Sequence, residues 1–233
     1  MRLLALDTAT ESCSAALLVD QELVGRELEL GRGHAEQILI MVDELLAQAG
    51  TTLGSLDAIA FGRGPGGFTG VRLAASVTQG LAFGAGLPVV PVSDLLAVAQ
   101  RALGEWGGVA AARVVVCNDA RMREVYWGCF ERPVDTPLAV PATGERVGRP
   151  ETVALPPGWG SEPPILGAGR GFSVYPAVRT GLLELKGVYD RLLPRAHEIA
   201  RLALPILQAG AALDAEHAVP VYVRDDVAQP AER

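Results

Sequence analysis

The glycine run Gly62-Arg63-Gly64-Pro65-Gly66-Gly67, followed by Phe68-Thr69, overlays two phosphate-binding patterns. Gly62, Gly64 and Gly67 satisfy G-x-G-x-x-G, the turn that lets a backbone approach a pyrophosphate at a helix N-terminus. That fingerprint usually follows the first strand of its fold, whereas a long segment precedes it here, and Pro65 removes a backbone N–H from the loop. The same run has P-loop spacing, Gly62-x-x-x-x-Gly67-Phe68-Thr69, with Phe68 where lysine belongs. A phenyl ring brings no positive charge to phosphate oxygens, so the main electrophile of a nucleotide hydrolase is missing. What remains is a glycine turn that holds an anion weakly.

A second candidate is the polar turn Asp7-Thr8-Ala9-Thr10 between two N-terminal strands. Its placement suits the phosphate-binding hairpin of the actin, sugar-kinase and heat-shock ATPase superfamily, although the turn itself holds no glycine. Plain turn chemistry for Asp7 is the competing reading. The remnant nucleotide-binding set is therefore Asp7, Thr8, Gly64, Gly66, Gly67 and Thr69. No catalytic residue, metal site or cofactor is expected. His34 is followed at i+4 by Ile38, so one helix face does not carry two imidazoles, and His197 and His217 lie far off. Ser12 and Ser14 have no adjacent base and no G-x-S-x-G elbow. Cys13, Cys117 and Cys129 form no C-x-x-C pair.

Several elements must position these groups. Leu3 to Leu6 and Ser14 to Val19 read as strands, and Leu23 to Leu30 alternates as a third, giving an antiparallel start. A helix over about Ala35 to Ala49 ends at Gly50. Its apolar stripe is wide, and Ile40 falls outside it near Ala47, either as a stray surface residue or as a contact with another chain. Strand Ala58 to Phe61, a helix over about Thr69 to Phe83 and strand Val89 to Val92 make a βαβ unit. Ser76, Gly80 and Gly84 lie four apart on that helix, with Arg72 one turn earlier. Such a ridge permits close helix approach, within the chain or between chains. Ile40, Ala47, Arg72, Ser76 and Gly80 form the candidate partner surface.

Ser93 to Leu103 reads as a helix capped by Ser93 or Asp94. Trp106-Gly107-Gly108 marks the expected boundary between an N-terminal lobe, 1–104, and a degenerate C-terminal lobe, 105–233. Val114 to Cys117 and Glu124 to Phe130 read as strands. The stretch from Pro133 to Pro164 reads as loops with short strands, and Ile165-Leu166 as a further strand. A last helix covers about Arg195 to Gln208, with Pro194 in its first turn and a kink at Pro205. A polar tail follows Arg224.

The 233 residues are 49% hydrophobic and 20% charged, which fits a globular chain with a real core. The net charge of −7 and the lack of interleaved aromatic and basic residues argue against a dominant nucleic-acid surface. The cysteine usage suits a reducing compartment, and no apolar run reaches membrane-spanning length, so a cytoplasmic protein with no membrane role is expected.

Four segments resemble the TsaB (YeaZ) family: Leu4-Ala5-Leu6-Asp7-Thr8-Ala9-Thr10-Glu11, Gly64-Pro65-Gly66-Gly67-Phe68-Thr69-Gly70-Val71-Arg72, Asp119-Ala120-Arg121-Met122-Arg123-Glu124-Val125-Tyr126-Trp127 and Pro220-Val221-Tyr222-Val223-Arg224. The resemblance implies an α/β, two-lobed actin-like fold with mixed sheets. It also implies a part in making threonylcarbamoyladenosine beside the anticodon of tRNAs that read codons starting with adenine. In that family the catalytic relative TsaD carries an H-x-x-x-H metal site and transfers the group from threonylcarbamoyl-adenylate, assisted by the ATPase TsaE. The TsaB member is the non-catalytic partner: it pairs with TsaD through two N-terminal-lobe helices, forms a homodimer when alone, and meets tRNA only in the assembled complex. Two other classes compete. An active actin-like ATPase or kinase needs an intact acid, glycine and metal site, of which only the acid is present. A dinucleotide-dependent oxidoreductase needs an acid after the glycine helix, where Asp94 reads better as a helix cap. A peptidase lacks any nucleophile–base pattern here.

Overall fold

An unbroken apolar run at the start of the chain sets up the architecture, because both faces of its strand are buried. The structure is a computed structural model describing residues 1–107 and 111–224. Strand β1 (Arg2–Asp7) sends Leu4 and Leu6 to one face and Leu3 and Ala5 to the other, and both faces are buried. Strands β2 (Ser12–Val19) and β3 (Glu22–Glu29) follow antiparallel, as the sequence implies. Helix α1 (His34–Gln48) ends before Gly50, which takes the left-handed conformation with φ of 59°. Strand β4 (Ala58–Gly62), helix α2 (Phe68–Ala85) and strand β5 (Val89–Val92) form the βαβ unit, with β1, β4 and β5 parallel. The first sheet runs in the order β3-β2-β1-β4-β5.

Helix α3 (Asp94–Trp106) leads toward the second sheet. That sheet contains β6 (Ala112–Asp119), β7 (Val125–Arg132), β8 (Val140–Pro141), β9 (Arg146–Gly148), β10 (Ile165–Ala168) and β11 (Leu185–Tyr189). Read from β8, its order is β8-β7-β6-β10-β11, with β9 also pairing β7. Two antiparallel steps followed by two parallel ones repeat the first sheet's pattern. This repeated unit, with helices on both faces, is the actin-like fold.

The two short helices α4 (Gly171–Val174) and α5 (Pro176–Thr180) cover one face of the second sheet through Phe172 and Val178. The last helix, α6 (Ala196–Gln208), starts two residues after Pro194, with Arg195 extended at its N-cap. Pro194 is therefore outside the first turn expected for it, and Ser14 of β2 supplies the missing cap by accepting the N–H of Ala196. Pro205 sits inside the helix, which continues to Gln208. The long helices are exchanged between sheets. Leu95, Val98, Ala102 and Leu103 of α3 pack on β6, β7 and β10 of the second sheet. Ile199, Ala200, Leu202 and Ala203 of α6 pack on β1, β4 and β5 of the first. Of the expected boundary Trp106-Gly107-Gly108, Gly108 lies outside the described residues, as does the tail after Arg224.

Candidate functional site

The two phosphate-binding candidates lie against each other. β1 ends in Asp7, and the following turn meets the loop between β4 and α2. Gly67 N donates to Ala9 O at 2.7 Å, and Thr8 Oγ1 donates to Gly70 O at 2.7 Å. The glycines are there for approach. A Cβ on Gly66 would lie 2.5 Å from Ala9 O, and one on Gly70 would lie 2.1 Å from Thr8 O. Gly64, at φ of 101°, takes a conformation suited to glycine, and its N–H donates to Asp94 Oδ2 in a short bond. Two backbone donors that would face an anion, those of Gly64 and Gly67, are thus engaged by the protein itself. Thr69 is exposed.

Asp7 and Asp94 are both fully buried. Asp7 Oδ1 accepts the N–H of Ala9 at 2.9 Å. Burial raises both carboxyls above the ordinary carboxylate range, against the bond from Ala9 in one case and with the charge of Asp7 added in the other. Asp94 does not cap α3: Ser93 Oγ accepts the N–H of Leu96 at 3.0 Å, and Asp94 turns back to the loop. Its role was invisible in the sequence because an acid at a helix start reads as a cap. Burial also pushes the Cys13 thiol to about 11 and raises those of Cys117 and Cys129, so none is a ready nucleophile. His34 Nε2 lies 3.0 Å from Thr10 O, which makes it a brace for the turn. Among the described residues no group of three potential ligands gathers to hold a metal.

The end of the described chain crosses this region. Val221 N donates to Arg63 O at 2.7 Å, and Val221 O lies 3.0 Å from where a Cβ on Gly64 would sit. Tyr222 stands near Phe68, and the Arg72 guanidinium stacks over Phe68 at 3.2 Å and lies 5.2 Å from Tyr222. Arg224 then reaches the second sheet, bonding Glu124 and the Ala120 carbonyl. The segment from Val219 to Arg224 is a strap from the glycine loop to the β6–β7 hairpin. That hairpin holds three successive left-handed residues, Arg121, Met122 and Arg123, at φ of 60°, 54° and 61°. The expected lack of interleaved basic and aromatic residues holds along the sequence but not in space. Arg224 also faces Tyr126, Arg146 faces Trp127 and Arg113 faces Trp159.

Of the candidate partner residues, Ile40 is 48% exposed, and Ala47, Arg72, Ser76 and Gly80 are exposed with it. α1 and α2 bury Ile38, Met41, Val42, Leu45, Ala75 and Ala82 in one layer on the first sheet, which turns these other residues outward. Phe83, unremarked in the sequence, is 72% exposed on the same helix as Gly80. No helix among the described residues is long and apolar enough to cross a membrane.

A family model described as TsaD, tRNA N6-adenosine threonylcarbamoyltransferase, matches residues 29–231. The tRNA threonylcarbamoyladenosine biosynthesis protein TsaB of Escherichia coli (strain K12) is 40% identical over 236 residues, covering 98% of this chain and 96% of that protein. TsaB of Haemophilus influenzae is 53% identical over 127 residues, 54% of this chain and 52% of that protein. The solved structure of YeaZ from Pseudomonas aeruginosa superposes with a TM-score of 0.83 at 43% identity, covering 95% of this chain and 99% of that one. A second Pseudomonas aeruginosa structure, described as similar to peptidase YeaZ, gives 0.87 at 44% identity over 96% and 99%. Near-complete coverage at such identity, on the same duplicated sheets, places this chain in the TsaB (YeaZ) family of tRNA threonylcarbamoyladenosine biosynthesis proteins.

Proposed function

We propose that this chain is a non-catalytic subunit that supports a TsaD-type threonylcarbamoyltransferase. The observation that carries this reading is the closure of the glycine loop on the Asp7–Thr10 turn. Gly64 and Gly67 donate inward, Gly66 and Gly70 admit Ala9 and Thr8, and Phe68 stands where a P-loop would place lysine. A nucleotide would find those two amide donors occupied and a phenyl ring in place of the P-loop lysine. Ile38, one turn after His34, is buried in the core and takes no part in metal binding. The outward residues of α1 and α2, including Ile40, Ala47, Arg72, Ser76 and Gly80, form the partner face. That face pairs with TsaD in the complex and with a second copy of the chain when TsaD is absent. TsaE joins the pair, and tRNA meets this subunit only in the assembly, consistent with its net charge of −7.

Reconstitution tests the reading. The chain, TsaD and TsaE are purified separately and mixed with tRNA and threonylcarbamoyl-adenylate. Transfer is expected only in mixtures that contain TsaD, with repeated turnover requiring this chain. ATP hydrolysis or transfer that follows the chain alone through successive columns would refute it and favour an active actin-like ATPase or kinase.

A further inference from the structure

Asp7 closes β1 and Asp94 opens α3, and each carboxyl has one oxygen on a backbone N–H, from Ala9 and Gly64 respectively. The other two oxygens, Asp7 Oδ2 and Asp94 Oδ1, are buried with no hydrogen-bond partner. Gly62 makes room for both groups: a Cβ there would lie 2.3 Å from Asp94 Oδ1 and 2.7 Å from Asp7 Oδ1. Two ionised carboxylates cannot share so dry a place without strong repulsion. A divalent cation needs more ligands than this pair provides, and no third acid, histidine or cysteine joins them among the described residues. A proton on Asp94 Oδ1, donated to Asp7 Oδ2, satisfies both orphan oxygens at once.

We infer that Asp7 and Asp94 share one proton in the folded protein, and that this proton latches the glycine loop onto the first strand. Losing it loosens the Gly62–Gly67 loop and, with it, the start of α2. The surrounding charges favour keeping the proton. Glu27 of β3 acts on Asp7, and Glu145, just before β9, acts on Asp94. Arg63 on the loop is paired with Glu145 at 3.2 Å, and Glu27 is held by Arg101 and Arg195. Cys13, beside Asp7, is a neutral thiol. With burial as the main cause, Asp7 rises to about 7 and Asp94 well above its ordinary value. Folded-state values above the unfolded ones mean that the latch is complete below the ordinary carboxylate range. It weakens as pH rises through about 7 and beyond.

Two measurements on the intact chain test this. In the parent, carbon-13 NMR of the aspartate side chains should show two carboxyl carbons titrating together near or above neutrality. If every aspartate has ionised by about pH 5, the inference fails. The second measurement compares thermal midpoints of the parent and Asp94→Asn across neutral pH. The asparagine oxygen still accepts from Gly64 and its amide still donates to Asp7, but it has no proton to lose. The parent should fall relative to the variant by roughly 3–5 °C per pH unit from about pH 4, where the unfolded carboxyl ionises, up to the pH near or above 7 at which the folded pair does. Parallel profiles overturn the latch. Should Asp94→Asn not fold, Asp7→Asn offers the same geometry from the other side, and the NMR titration decides on the parent alone.

Discussion

The Ser14 hydroxyl on β2 accepts the backbone N–H of Ala196 at 2.9 Å, joining residues 182 positions apart in a buried bond. It fills the N-terminus of α6, whose own N-cap, Arg195, offers no side-chain bond there. Replacing Ser14 with Ala leaves that N–H buried without an acceptor. The expected loss is roughly 1–3 kcal/mol, read as a lower urea midpoint with an unchanged slope. A loss below experimental error would mean that α6 relaxes to find another cap.

Gly70→Ala probes the closed phosphate turn. Its new methyl would press on the Thr8 carbonyl at 2.1 Å, and backbone does not yield as a flexible side chain does. Destabilisation of roughly 1–3 kcal/mol or more is expected, although alanine is the better helix former. Gly54→Ala, where nothing lies within 4 Å of the new carbon, is the control and should be near neutral. Equal melting temperatures for the two variants would contradict the tight turn.

The partner face is tested by Gly80→Leu and Ile40→Glu. A Cβ on Gly80 meets nothing within 4 Å, and Ile40 is already 48% exposed, so both variants should fold like the parent. In a helix-to-helix contact, leucine blocks close approach and glutamate buries an unpaired charge. Size-exclusion chromatography, alone and with TsaD, should show at least tenfold weaker association. Parent-like association of folded variants would move the surface elsewhere.

Glu198 is expected to shape the acid limb of stability. It is 4% exposed. Burial pushes its carboxyl up, but hydrogen bonds from His197 and Arg195 outweigh burial and hold it below the ordinary value. A lowered folded-state value contributes stability that is present above the unfolded value of 4.5 and lost as pH falls through the folded one. Glu198→Gln should therefore cost roughly 1.5–3 kcal/mol at neutral pH, and its melting temperature should fall less steeply below about pH 4 than the parent's. Parallel acid limbs would show that another carboxylate controls them.

Much of the first sheet was legible because its signals are local. Short apolar runs marked β1 and β2, alternation marked β3, a helical stripe marked α1, and the β4–α2–β5 unit was framed by glycine and proline. The outward features of α1 and α2 proposed as a partner face were legible for the same reason: Ile40 breaks a period, and Ser76, Gly80 and Gly84 keep one. Other features depend on distant chain. β11, α4 and α5 are short, lie among glycines and prolines, and gain their burial only by pairing with β10 or covering Cys117 and Trp127. The Asp7–Asp94 contact joins residues 87 apart in the numbering and was hidden behind ordinary cap chemistry. Apart from Arg72 over Phe68, one turn apart on α2, the arginine–aromatic contacts join different elements, so no short window of sequence contains both partners.

The exchange of α3 and α6 between the sheets has a consequence for biosynthesis. All five strands of the first sheet have left the ribosome once Val92 is out, but the helix that covers their second face ends at Gln208. Until then Leu3, Ala5, Ala60 and Val90 line an apolar face without its lid. Nascent chains stalled between these points should be sticky, captured by chaperones and open to protease, and release should come abruptly when α6 emerges. A protein that finishes its first half last is poorly suited to being made in pieces: fragments cut between the lobes should aggregate separately and recover solubility only when synthesised together.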